Sequence, residues 1–118
     1  LRRQSLINEY HILLRALTKK STPQLRNTLL FRAIVAEDIK VVQKLLDAGA
    51  DPNTRNDWGE TPLHYAIQHI EGPLNKPIVD ALIKKGARPD IAQSEGKTPL
   101  HLLIEKYFAF KHKNSPPV

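Results

Sequence analysis

An all-α solenoid of stacked helix-turn-helix units is the fold this sequence predicts, and two observations predict it. The string Thr61-Pro62-Leu63-His64-Tyr65-Ala66 returns as Thr98-Pro99-Leu100-His101-Leu102-Leu103, and Gly49-Ala50-Asp51-Pro52-Asn53 returns as Gly86-Ala87-Arg88-Pro89-Asp90. Blocks that recur in the same order mark a repeat architecture, in which each unit buries its apolar face only against its neighbours. A shift of 33 residues upstream lands on a degenerate third copy, Thr28-Leu29-Leu30-Phe31-Arg32-Ala33, which keeps the threonine, one leucine and the alanine.

The elements follow in chain order. Leu6, Tyr10, Leu13, Leu14 and Leu17 share one helical face, so residues 5–18 are expected to form a helix over the start of the stack. It is either a dedicated capping helix or the remnant second helix of an earlier repeat. Thr22 then caps a helix with Pro23 in its first turn and an apolar face of Leu25, Leu29, Leu30, Ala33 and Ile34. Asp38 caps a second helix with the stripe Ile39, Val42, Leu45 and Leu46, ended by Gly49. Thr61-Pro62 and Thr98-Pro99 open the first helices of the next two units in the same way.

In the second unit, Ala66 to Val79 takes 13 steps where Ala33 to Val42 takes nine. A four-residue insertion is therefore expected around Ile70–Pro77, where a glycine and two prolines suit an interhelical loop. Pro77 is expected to open the second helix there, with Ile78, Val79, Leu82 and Ile83 inside and Gly86 closing it. Residues 50–60 and 87–97 read as hairpin-like loops with tight turns at Asp57-Trp58-Gly59 and Ser94-Glu95-Gly96.

These features carry a resemblance: the chain resembles the ankyrin repeat family from residue 22 to about residue 107. The resemblance implies a division into residues 1–21 as the N-terminal segment, 22–56 as repeat 1, 57–93 as repeat 2, 94–110 as a partial repeat 3 and 111–118 as a tail. It implies that Thr61 and Thr98 cap helices, that His64 and His101 bond between adjacent repeats, and that Pro62, Leu63, Pro99 and Leu100 belong to the scaffold. It further implies that Ala66 is small for close packing and that Gly49, Gly59, Gly86 and Gly96 turn the chain. The loss of proline and histidine from repeat 1 suits an atypical first repeat. After Tyr107-Phe108-Ala109-Phe110 no second helix is expected in repeat 3, which would leave its apolar face open to further chain.

By the same resemblance the hairpin tips and the open face of each first helix grip a partner protein. Carried over residue by residue, that surface comprises Asp57, Trp58, Glu60, Gln68 and His69 from repeat 2. Repeat 3 adds Ser94, Glu95, Lys97, Glu105 and Lys106, and repeat 1 offers Asn27, Val35 and Ala36. Trp58, the single tryptophan, stands out because indole supplies much contact area at low entropic cost. The insertion 71–76 is a second candidate for recognition.

Catalysis finds little support. The chain has no cysteine, so disulfides and thiolate ligands are excluded. His64 and His69 are five residues apart, off the i, i+4 spacing that places two metal ligands on one helical face. The glycines are scattered, with no phosphate loop and no Gly-x-Ser-x-Gly turn. No catalytic residue, metal or cofactor is therefore expected.

The net charge of +6 sits at the ends: residues 1–26 hold six Lys/Arg against one acid, and residues 96–118 hold four against one. Residues 27–95 carry eight bases and ten acids. The basic ends read as solubilising charge, and nucleic acid is not the expected partner. No apolar run reaches the roughly 20 residues needed to span a bilayer, and an intracellular, cytoplasmic monomer is expected. A chain without methionine is expected to be a piece of a longer one. The function expected is protein–protein interaction. The alternatives are a targeting or regulatory segment of a larger enzyme and a basic binder of nucleic acid or anionic surfaces.

Overall fold

The computed structural model describes residues 22–70 and 72–114, so the expected N-terminal helix, Glu71 and the last four residues lie outside the described chain. Five helices follow in order: α1 (Pro23–Val35), α2 (Ile39–Asp47), α3 (Pro62–Gln68), α4 (Lys76–Lys84) and α5 (Pro99–Asn114). Among the described residues there is no strand. The first helices α1, α3 and α5 pack side by side in one row, and α2 packs on α4 in a second. The all-α ankyrin solenoid expected from the repeat is the fold observed.

Local chemistry starts each helix. Thr22 Oγ1 accepts from the Leu25 amide at 3.2 Å, Asp38 Oδ1 from Val41 at 3.2 Å, and Thr98 Oγ1 from His101 at 3.1 Å. Each contact satisfies a backbone N–H that has no partner inside its helix. The start of α4 differs from expectation. Asn75, not Pro77, opens it, with its Oδ1 accepting from Ile78 at 3.3 Å and Pro77 one turn position later.

The ends are equally specific. Gly49 and Gly86 take φ of 101° and 98°, so the next amide can turn back onto the helix. Ala50 donates to the Leu45 carbonyl and Ala87 to the Leu82 carbonyl, each at 2.9 Å. The same closure ends α1, where Asp38 donates to the Ala33 carbonyl at 3.0 Å. Glu37 occupies the left-handed position there, with φ of 55°. Its carboxylate accepts from Asn75 Nδ2 at 3.2 Å, which ties the turn of repeat 1 to the start of α4.

The core runs between the two rows. Leu30, Ala33, Ile34, Val42, Leu45, Ala66, Ile78 and Leu82 are fully enclosed. Several details depart from the expected stripes, and Leu25 of α1 is one of them, at 38% exposed. Val41 is buried beside Val42 while Ile39 is only half-buried, and Ile83 is 52% exposed instead of lying inside. Neighbouring helices fix the rotation of α2 and α4 about their axes, and α2·α4 packing selects Ile78 and Leu82 as the inner residues.

The insertion is anchored at its root. Ile70 is only 4% exposed, and Lys106 reaches back from α5 to donate to the carbonyls of Ile67 and Ile70 at 3.1 and 2.7 Å. The ammonium thus satisfies carbonyls at the end of α3 that the helix itself leaves open. The last helix also differs from expectation, since it continues through residue 114 instead of giving way to a tail at 111.

Among the described residues, one face of α5 stays uncovered. Leu63, Ile67 and Ile70 are 2%, 5% and 4% exposed, whereas Leu100, Ile104 and Tyr107, each 37 positions later, are 55%, 49% and 57% exposed. The repeat residues are equivalent, and only the neighbour differs.

The adjacent pair Leu82 and Ile83 tests the packing. Leu82→Ala is expected to cost about 2–5 kcal/mol in urea unfolding, the range for an enclosed leucine. Ile83→Ala should stay within about 1 kcal/mol, as befits a largely exposed side chain.

Candidate functional site

Between the helix pairs the chain forms two projecting hairpin loops, and the same side-chain device shapes both. Asn56 Oδ1 accepts from the amides of Trp58 and Glu60 at 3.0 and 2.9 Å. Gln93 Oε1 accepts from Glu95 and Lys97 at 2.7 and 3.0 Å. Backbone bonds from Asn56 to Glu60 and from Gln93 to Lys97 close the two turns. Asn56 and Gln93 lie 37 residues apart, the same interval that separates Thr61 from Thr98. That interval was the available sign of their shared role, which residue type alone concealed.

The loops are fastened to one another. Ser94 donates its amide to the Trp58 carbonyl at 2.9 Å. Arg55 Nε donates to the Gly59 carbonyl at 3.4 Å, and its guanidinium also meets the Ala92 carbonyl. A Cβ added at Gly59 would stand 3.2 Å from the Ser94 nitrogen, on a backbone with φ of 72°. Glycine is required there for both conformation and space. Nearer the helices, Asn53 donates to the Gly86 carbonyl at 3.0 Å and accepts from the Arg88 amide at 2.7 Å. Asn27, expected on the open face, instead accepts from the Asp51 amide at 2.8 Å.

His64 is the innermost polar link, fully buried at the base of α3. The Thr61 amide donates to Nδ1 at 2.9 Å. An amide can only donate, so Nδ1 must be unprotonated and the ring proton must sit on Nε2. Nε2 then donates to the Lys97 carbonyl at 2.9 Å, across to the next repeat. Burial disfavours the imidazolium and holds His64 below its ordinary pKa of 6.5, against the opposing pull of the Lys97 carbonyl.

His101 departs from the role implied for it. It is exposed, with Nε2 3.4 Å from Glu105 Oε1, because no further repeat follows α5 among the described residues to receive it. Identical residues in identical motifs therefore have different environments.

Around this frame the expected partner-binding residues separate into groups. Trp58, Glu60, Gln68, His69, Ser94 and Glu95 converge on one recess of about 370 Å³, joined by Gln93. Trp58 is 68% exposed at its rim. Glu60, expected at the surface, is only 5% exposed. Its Oε1 accepts from Asn56 Nδ2 at 2.9 Å, and its Oε2 lies 3.1 Å from His69 Nε2. Asp57 lines a second recess of about 430 Å³ with Asn27, Phe31, Arg32, Arg55 and Tyr65.

A row of rings joins the two recesses. Phe31 meets Tyr65 edge-on at 4.8 Å between centroids, and Tyr65 meets His69 at 4.3 Å. Sequence reading missed Phe31 and Tyr65 as surface formers, although Phe31 replaces the histidine of the repeat string and Tyr65 sits at the position after it, where the strings vary. Lys97 and Glu105 pair with each other at 3.1 Å away from the recess, and the Lys106 ammonium is committed to α3. Val35 is exposed, and Ala36 is half-buried against the core.

Among the described residues, no group of three or more histidines and carboxylates could hold a metal ion. Within the same residues no helix is long and apolar enough to cross a membrane.

A family model described as "Ankyrin repeats (3 copies)" matches residues 30–112, and the chain belongs to the ankyrin repeat family. Ankyrin repeats are in general protein–protein interaction modules, and domains built from them are typically non-catalytic. The mitochondrial disaggregase of Homo sapiens is 51% identical over 39 residues, which are 33% of this chain and 6% of that protein. An ankyrin repeat protein of Fowlpox virus (strain NVSL) is 43% identical over 53 residues, covering 44% of this chain and 38% of its own. An ankyrin repeat protein of Pyrobaculum aerophilum is 50% identical over 36 residues, 30% of this chain and 14% of that one. The match thus spans a small fraction of the disaggregase's length and a little over a third of the viral protein's.

The His64 link gives stability a pH dependence of defined sign. A histidine whose folded pKa is depressed leaves the unfolded chain binding more protons, so its contribution is complete above the ordinary value of 6.5 and is lost as pH falls below it. The thermal midpoint should therefore drop between about pH 7.5 and about pH 5.5. His64→Gln should start lower and change less over the same interval, as read by circular dichroism.

Proposed function

We propose that this chain binds a partner protein across the two hairpin tips and the open face of the first helices, and that it carries no catalysis itself. The observation that supports this best is Trp58: a large apolar ring, 68% exposed, held on a loop that is fastened to its neighbour by hydrogen bonds. An indole on a fixed backbone has only two side-chain torsions left to order when a partner covers it, which suits a binding hot spot. The ring row Phe31, Tyr65 and His69 continues the surface beside it.

A second reading has its own observation. The relative named mitochondrial disaggregase carries the matching 39 residues within 6% of its length, so a repeat segment can serve a much larger working protein. In that case the same face would dock a partner or substrate for the protein that bears it. Intracellular residence as a monomer is part of the proposal.

A pull-down from cell lysate, run with wild type beside Trp58→Ala/His69→Ala, tests the surface. Trp58 is exposed, whereas His69 also meets the buried Glu60, so circular dichroism first confirms that the variant keeps the wild-type fold. Partners docking on this face should be retained at least about tenfold less well by the variant, as expected for loss of a central aromatic anchor. Equal capture of every partner by both proteins would place the interface elsewhere.

A further inference from the structure

We infer that the recess between the hairpin tips receives the guanidinium of an arginine, presented by a loop or extended segment of the partner protein. The inference rests on the docking face proposed above and adds the chemistry that the face selects.

The walls of the recess have one electrostatic sense. Two acidic residues, Glu60 and Glu95, line it together with Gln68, His69, Gln93, Ser94 and Trp58. No lysine or arginine lines it. Glu60 matters most, because its side chain is only 6% exposed and a buried carboxylate keeps its field in poorly screened surroundings. Its oxygens meet the side-chain amide of Asn56 and the His69 ring, and neither is a permanent cation. With both oxygens engaged, Glu60 lends the recess its field, and the exposed Glu95 is the carboxylate placed for direct contact. Arg55, on the same hairpin, spends its guanidinium on the carbonyls of Gly59 and Ala92. Lys97 turns to Glu105.

Trp58 supplies the second half of the recognition. A cation over the face of an indole is attracted by the ring's quadrupole, and tryptophan is the best of the aromatic residues in this respect. Arginine fits the pair of features better than lysine does. Its flat guanidinium can lie along the indole while its fork of N–H donors meets a carboxylate, whereas an ammonium offers a compact, strongly hydrated charge. The volume of about 370 Å³ is at the small end of ligand-sized clefts, enough for the head of one side chain. The hydrogen bonds that join the tips form the recess before any partner arrives.

Because Trp58 is the only tryptophan, its fluorescence reports on this recess alone. The probe is N-acetyl-Gly-Arg-Gly-amide, titrated beside the citrulline peptide, an uncharged analogue of nearly the same shape, and the lysine peptide. The arginine peptide should give a saturable change. The citrulline peptide should bind at least about fivefold more weakly, and the lysine peptide should lie between, given the modest size of one exposed cation–π contact. Glu95→Gln, at an exposed position that leaves the fold alone, should weaken the arginine peptide by about threefold or more. Equal responses to arginine and citrulline, no saturable response, or an unchanged titration in Glu95→Gln would overturn the assignment. If the titration fails while capture from lysate still depends on Trp58 and His69, the arginine assignment falls and the docking face stands.

Discussion

His64 is the interaction on which the rest of the molecule depends. One imidazole takes the Thr61 amide on one nitrogen and gives the proton of the other to the Lys97 carbonyl, so the start of α3 and the second hairpin are held by the same ring. The residue is buried, and a buried polar group that loses its partner costs far more than the bond contributes when made. Burial thus turns a modest hydrogen bond into a strict requirement on geometry. Around it the contacts of Asn53, Arg55 and Ser94 repeat the task at increasing distance from the core.

The consequence for function is rigidity in a part of the protein that would ordinarily move. Projecting loops are usually mobile and variable. Here each tip is closed by its own Asn or Gln side chain and fastened to the next, so the backbone that carries the exposed Trp58 and the buried Glu60 is held in place. A fixed arrangement can discriminate between side chains that a flexible one would accept alike. The solenoid supplies this platform mainly through the packing of each described helix on its neighbours within and between the two rows.

Much of the fold was legible because helix ends are written in local chemistry. Threonine, aspartate and glycine at fixed offsets announce caps that depend on a few adjacent amides, whereas the Asn75 cap of α4 and the left-handed Glu37 after α1 were missed. The rotation of a helix about its axis was not. Val41 and Ile83 exchanged their expected environments because the opposite helix, not the stripe itself, decides which side faces in. The candidate site was partly legible. Trp58, Gln68, His69, Ser94 and Glu95 do converge, yet Glu60 was read as a surface charge although it is buried. A single glutamate carries no sign of the asparagine and histidine that will enclose it. His101 makes the same point in reverse, since its motif matches that of His64 but no further repeat receives it among the described residues.

Amide hydrogen exchange at Ser94 tests the central role of His64 most directly. His64→Leu keeps the volume roughly while removing both ring hydrogen bonds. If the imidazole holds the second hairpin in place, the Ser94 amide should exchange at least about tenfold faster in the variant while the amides of α2 keep their rates. An unchanged rate at Ser94, or a loss of protection spread equally over α2 and the hairpin, would contradict it.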